Sequence, residues 1–382
     1  MIRDDVERFV DDCIADPQAG GDADFGRLAL RVFAHQYERV EMYRRLCELR
    51  GASPRSVQHW SQVPAAPADL FKEDLGAAMD PAGAVFRSSG TTAGPERRST
   101  HAVDARSLAL YRRSSMAHFR RMVLPDGPGP MAVLLLGPGP ATHPHSSLGH
   151  MYGFAIDEFA ATRGGAEEPG QRDVLQAFDA EGNLDLQAAT ARLEEAARGS
   201  RPLLVLALSS TITAVFEHLR ATGRALRLPA DSRLVDTGGS KGGRVFSRAG
   251  ILQAAWRFLH IPAYLCAGEY GMTELLSQFY DDTVRARWEG HSRPRAKQGP
   301  RWTRTLVVDP ATLMPVDRGS RGILRHVDLA NVGSIAAVQT LDVGVEEGAG
   351  FQVLGRAADA EARGCSQLMS VLSQETTRGE QS

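Results

Sequence analysis

The sequence predicts an α/β fold with mixed, largely parallel sheets, and a smaller β-rich part toward the end of the chain. Three observations lead there. Strand-length apolar runs alternate with helical stretches through the middle of the chain, the pattern of parallel pairing. Loops rich in glycine or hydroxyl residues follow several of those runs. Short strand-like runs without intervening helices then occupy 301–355.

In order, residues 1–50 read as helical, with Val6, Phe9 and Val10 on one face and Leu28, Leu30, Phe33, Tyr37 and Val40 on another. Pro64 and Pro67 make 63–72 an extended connector. A helical stretch spans 107–122, and the apolar run Met131–Leu136 reads as a buried strand. Helix is expected over 183–200, strand over Leu203–Leu208, and helix again over 211–222 and 247–259. A short strand is expected at Pro262–Cys266, running into GEYGMTE. The expected organisation is a helical region and connector over 1–80, an α/β core over 81–355 that turns β-rich near 301, and a terminal segment over 356–382. The end after Ser373 is polar and reads as disordered.

Bulk properties narrow the function classes. The chain has 382 residues, 43% of them apolar, which suffices for a large subdivided core. Net charge is −2, from 44 basic and 46 acidic residues, so neither nucleic acid nor an anionic membrane is implied as a partner. No apolar run approaches the roughly 20 residues needed to span a bilayer. The acidic N-terminus is unlike a signal peptide. Cys13, Cys47, Cys266 and Cys365 are widely and irregularly spaced, which argues against zinc ligation and against a disulfide framework. The expectation is a protein of the reducing cytoplasm.

Four segments carry chemistry. Ser88-Ser89-Gly90-Thr91-Thr92 lets backbone N–H groups and hydroxyls converge on anionic oxygens, though a solvated turn has the same composition. No GK[ST] follows, so it is not a Walker A loop. Gly238 and Gly239 lie after an apolar strand, where a flat ligand can approach the backbone; a plain strand-to-helix connection reads alike. In Tyr270-Gly271-Met272-Thr273-Glu274 the threonine suits a phosphate oxygen and the glutamate a divalent cation. A helix start capped by Thr273 and Glu274 is the plainer alternative. Asp342 suits a ribose diol and Arg356 a phosphate or ribose, or both are surface charge. His143, His145 and His150 admit a metal site, but loop structure or pocket lining is simpler.

Taken in order, FRSSGTTAG, LVDTGGSKGG, EYGMTE, TLD and GRAADAEARGCS resemble the adenylate-forming superfamily. With VPAAPADLFK and YRRLCELRGASP, the chain more narrowly resembles the acyl-protein synthetases, the fatty-acid-activating component of bacterial bioluminescence and its relatives. The resemblance spans about residues 30–370. It implies the N-terminal domain of an adenylate-forming enzyme, acting as an acid–thiol ligase with ATP and Mg2+. Ser88, Ser89, Gly90, Thr91 and Thr92 would then grip phosphates, Gly238, Gly239 and Tyr270 would lie by the adenine, and Gly271 would belong to the same nucleotide-binding set. Thr273 would contact the α-phosphate, Glu274 the metal, and Asp342 and Arg356 the ribose. Cys365 would accept the acyl group as a thioester, for delivery to a reductase or carrier protein.

Departures from the pattern stand beside it. Ala93 precedes Gly94 and the loop has no lysine, leaving Arg97, Arg98 or Lys241 as sources of charge. The sequence ends soon after Cys365, so the lysine-bearing C-terminal domain of larger members is expected to be missing. Two other functions fit the same motifs. One is a ligase that passes the acyl group directly to coenzyme A or a carrier thiol. The other is a nucleotide-binding subunit without catalysis.

Overall fold

A computed structural model describes residues 1–73, 75, 83–88, 98–162, 171–179, 182–238 and 245–357. In chain order its helices and strands are α1 (Ile2–Ala15), α2 (Asp22–Arg39), α3 (Glu41–Leu49), β1 (Ala66–Pro67), β2 (Ala84–Arg87), β3 (Thr100–Val103), α4 (Ala105–Val123), β4 (Ala132–Leu136), α5 (Ser147–Phe159), β5 (Val174–Gln176), α6 (Leu186–Arg198), β6 (Leu203–Leu208), α7 (Ser209–Ala221), β7 (Arg233–Thr237), α8 (Arg248–Leu259), β8 (Cys266–Tyr270), β9 (Phe279–Asp281), α9 (Thr283–Trp288), β10 (Lys297–Gln298), β11 (Thr303–Val308), β12 (Arg321–Asp328), β13 (Ala337–Glu347) and β14 (Gly350–Arg356). They form two compact units, each discontinuous in sequence: 1–115 with 272–278 and 298–382, and 116–271 with 279–297.

The second unit is the parallel sheet that the apolar runs predict. Strand order is β5-β4-β6-β7-β8-β9, parallel except for β9. All five residues of β4 and of β7 are buried, as are the first five of β6. Continuous burial follows from helical crossovers that cover both faces, which is why the strands read as apolar runs rather than as alternation. The crossover helices α6, α7 and α8 join consecutive strands of this set. Asp185 caps α6, its carboxylate accepting from the N–H groups of Gln187 and Ala188, so the helix starts at Leu186 rather than at 183. The strand expected at Pro262–Cys266 is displaced. Pro262 has no N–H for a ladder, and its carbonyl instead accepts from Leu265 N–H in a 3-10 turn. The strand proper is β8, which starts at Cys266 and ends at Tyr270.

The first unit contains α1–α3, the β2–β3 hairpin, and an antiparallel run β11-β12-β13-β14. β1 adds to β13 in parallel, with Ala66 opposite Val338, so the proline-bearing connector is partly strand. Buried Gln36 ties α2 to the β-rich part: its amide donates to Asn331 O (2.9 Å) and its carbonyl accepts from Ala336 N–H (3.0 Å). Phe25, Val32 and Phe33 bury the apolar face of α2. Each side chain of that size contributes roughly 1.5–3 kcal/mol on leaving water.

Among the described residues, no helix is long and apolar enough to cross a membrane.

Candidate functional site

The first unit assembles several of the residues singled out in the sequence. Ser88 and Ser99 close the hairpin loop between β2 and β3. Ser88 N–H donates to Ser99 O (2.9 Å), and Ser99 N–H donates to Ser88 Oγ (3.0 Å). Ser89, Gly90, Thr91 and Thr92 lie outside the described residues, as do Arg97 and Lys241; Arg98 is exposed. The hairpin places Ser88 at the base of the glycine- and hydroxyl-rich loop.

Thr273 and Glu274 stand in an irregular segment, so the reading of a capped helix start does not hold. Several polar groups of this segment are held from elsewhere in the unit. His101 Nδ1 donates to Thr273 O (2.9 Å). Asn331 Nδ2 donates to Glu274 O (2.6 Å), and Leu276 N–H donates to Asp328 Oδ2 (3.1 Å). Ser277 hydroxyl donates to Asp328 Oδ1 (2.8 Å), while Trp302 Nε1 donates to Ser277 Oγ (3.1 Å). Ser114 Oγ is 3.3 Å from Leu276 O. These bonds fix a segment that has no helix or sheet ladder of its own.

The Glu274 side chain is buried. Burial pushes its carboxyl above the usual range, opposed by a hydrogen bond from Ser99 and by the positive charge of Arg356. Asp342 on β13 and Arg356 on β14 are direct cross-strand partners, with Arg356 Nε 3.5 Å from Asp342 Oδ1. Thr340 holds the approach to Asp342 by accepting its N–H (3.0 Å). Arg356 thus acts on both carboxylates that the sequence singled out in this unit. A half-buried carboxylate, a buried one and an exposed arginine form a hard-oxygen and cationic set suited to a ribose, a phosphate and a divalent cation. The raised Glu274 carboxyl is a buried acid that a bound cation would relieve, so magnesium fits this residue. Ser99, His101 and Asn331 were not visible as site residues in the sequence. Their only signal is polarity within an apolar pattern, since their partners lie far along the chain.

The second unit carries the other candidates. Gly238 is exposed just beyond the C-terminal end of β7, and Gly271 just beyond that of β8. Gly239 lies outside the described residues. Tyr270 ends β8, its ring 5.9 Å from that of Phe279. Ligands of open α/β sheets approach this edge of the strands. On one side of β8, Asp281 accepts from Arg295 Nη1 (2.7 Å) and pairs with Lys297 Nζ (3.0 Å) and Arg248 Nη2 (3.1 Å). These cations hold its carboxyl down to about 2 against desolvation. A Cβ on Gly268 would come within 2.5 Å of Lys297 Nζ, so a larger residue would push these side-chain ends back from the strand.

Glu269 takes the other side of β8. It is buried, accepts from the Thr237 hydroxyl, and is pushed up to about 7, chiefly by desolvation. The unfolded carboxyl ionises near 4.5. Below that value both states are protonated and the group costs nothing. Between 4.5 and 7 the unfolded chain releases its proton first, so stability falls with rising pH, by about 3 kcal/mol at most. Glu269→Gln is expected to flatten this slope and to raise the melting temperature at pH 8 more than at pH 5. Thermal denaturation across that range checks it.

His143 and His150 are engaged locally, with Thr142 Oγ1 (3.0 Å) and Pro144 O (2.9 Å) respectively. No group of three or more His, Cys, Asp or Glu placed to hold a metal ion occurs among the described residues. Cys13, Cys47 and Cys266 are buried, and Cys365 lies outside the described residues.

No protein-family profile matches the chain, and no curated protein sequence matches it. Solved structures do. The chain is similar to 2-hydroxyisobutyryl-CoA ligase in an open conformation with 2-HIB-AMP and CoA, at TM-score 0.57 and 13% identity, covering 88% of this chain and 76% of that one. It is similar to the same ligase in its thioesterification state at TM-score 0.58 and 14% identity, covering 89% and 69%. At such identities the likeness establishes the fold, and the chain has the fold of the adenylate-forming ligases.

Proposed function

We propose that this protein uses ATP to convert a carboxylic acid into an acyl-adenylate, then takes the acyl group onto its own Cys365 as a thioester. The observation that carries the reading is the convergence of Glu274, Asp342 and Arg356 in one unit, on a fold shared with a ligase that holds an acyl-adenylate. In the first half-reaction a carboxylate oxygen attacks the α-phosphorus of ATP and pyrophosphate leaves. Ser88 and the loop through Thr92 bind the phosphates, and Thr273 contacts the α-phosphate. Asp342 and Arg356 hold the ribose. Glu274 would hold magnesium, which when bound neutralises developing phosphate charge. Fixed donors of this kind stabilise the crowded charge of the transition state. In the second half-reaction the Cys365 thiolate attacks the acyl carbonyl carbon and AMP departs. The thioester then goes to a reductase or carrier protein.

Intact-mass spectrometry after incubation with ATP, Mg2+ and a panel of acids tests this. The expected product is one acyl adduct per chain with release of AMP and pyrophosphate. Pyrophosphate release without any protein adduct would remove the self-loading half. A second reading, direct transfer to coenzyme A, is favoured by the CoA present in the similar ligase structure. It predicts acyl-CoA formation and an unmodified protein mass.

A further inference from the structure

His101 is a buried residue for which the reaction above has no use. It is 1% exposed on β3, with the Phe71 ring edge-on at 5.6 Å. Burial lowers its pKa to about 4, so the imidazole is neutral and carries a single proton. Nδ1 faces the carbonyl of Thr273 at 2.9 Å. A carbonyl only accepts, so the proton sits on Nδ1. Nε2 is buried and has no hydrogen-bond partner among the described residues. The ring therefore serves one bond, to the residue next to Glu274.

The placement is not isolated. Strand periodicity puts Ser99 and His101 on one face, and both are buried. Ser99 sits beside the Glu274 carboxyl and favours its ionised form, and His101 bonds the Thr273 carbonyl, so two alternate residues of the hairpin face two successive residues of the acid-bearing segment. Ser99 also closes the loop against Ser88. The hairpin and the segment are thus registered against each other by the His101–Thr273 hydrogen bond, with Ser99 beside Glu274. A cationic side chain at position 101 would bring an unpaired charge into this buried pocket, and an aliphatic one would leave the Thr273 carbonyl unpaired.

We propose that His101 is a positioning residue: its Nδ1–H bond to Thr273 O fixes Thr273 and Glu274 against the β2–β3 hairpin for the acid-activation step. This rests on the function proposed above.

The test compares His101→Leu, which deletes the donor, with His101→Asn, whose amide nitrogen replaces Nδ1 as a neutral donor. ATP–pyrophosphate exchange is measured with varied ATP, acid and Mg2+, and amide hydrogen exchange is followed over 272–278. His101→Leu is expected to lose roughly 10–100-fold in kcat/KM for ATP, with KM for the acid unchanged. Its 272–278 amides should exchange faster, and its melting temperature should stay within a few degrees. His101→Asn should recover activity to within a few-fold and restore protection. Equal activity in both variants, whether lost or retained, overturns the proposal. If His101→Leu does not fold, His101→Gln takes its place. Its amide stands one bond too far out, and it must then be impaired where Asn is not. If the wild type shows no exchange activity with any acid, the proposed function has failed. The hydrogen-exchange comparison then decides His101 alone, and protection unchanged in the donorless variant overturns it.

Discussion

Cys365→Ser should abolish covalent loading while leaving pyrophosphate release within a few-fold of wild type. The two half-reactions separate at this residue. Attack on the α-phosphorus uses a substrate oxygen and needs no sulfur. Attack on the mixed anhydride needs a nucleophile that is ionised at neutral pH, which a thiol supplies and a serine hydroxyl without an adjacent base does not. The other cysteines do not substitute. Cys13, Cys47 and Cys266 are buried, and desolvation pushes the thiols of Cys47 and Cys266 up to about 12. At pH 7 a thiol of that pKa is ionised in roughly one molecule in 10⁵. The wild-type adduct should therefore be single and should map by digestion to Cys365. In the serine variant the activated acid should accumulate as the adenylate and be captured by added hydroxylamine. An adduct of undiminished mass on the serine variant would mean that the acyl group goes elsewhere. Undiminished acyl-CoA formation, with no adduct on either protein, would leave direct transfer as the surviving reading.

Much of this arrangement was legible in the sequence, and the failures have physical causes. β6 falls on Leu203–Leu208 as read, because a strand covered on both faces is one apolar run with abrupt ends. The apolar run from Pro262 resembles a strand, but Pro262 lacks a ladder N–H and the chain turns as a 3-10 helix before β8 begins at Cys266. The sequence groups Asp342 with Arg356 at the ribose but does not reveal that strand register makes them direct partners, since their pairing depends on the turn between β13 and β14. The grip on Thr273 and Glu274 was not legible. His101 is 172 residues from Thr273, and Asn331 is 57 from Glu274, so nothing local signals either contact. The same applies to the division of the chain: residues 272–278 belong with the first 115 rather than with the strand that precedes them. Motif order reveals which residues matter to a nucleotide, whereas their supports come from tertiary packing that joins distant segments.

Glu274→Gln is expected to lower the adenylation rate by about 10²–10³-fold, the scale seen when one fixed charge-stabilising group is removed. It should at the same time leave stability unchanged or raise it at alkaline pH. The opposition follows from burial. The Glu274 carboxyl is raised above its ordinary 4.5 because the ionised form loses its water, which Ser99, its own backbone N–H and Arg356 offset only in part. In the native state it therefore holds its proton longer than in the unfolded chain. Its contribution to stability is intact below 4.5 and declines as pH rises through the native value. Glutamine keeps the shape and an oxygen for the Ser99 hydroxyl but never ionises, so that decline should vanish. Its amide also fails to hold a divalent cation as a carboxylate does, so raising Mg2+ should not restore the rate. A gain in stability joined to a loss of rate is the mark of a group kept in an unfavourable setting for chemistry rather than for folding. Melting curves at pH 5 and pH 8, run beside pyrophosphate exchange over a magnesium titration, give both quantities from one preparation. A variant that loses stability and activity together would make Glu274 a packing residue. One that keeps full exchange activity would place the metal-binding carboxylate somewhere other than this segment.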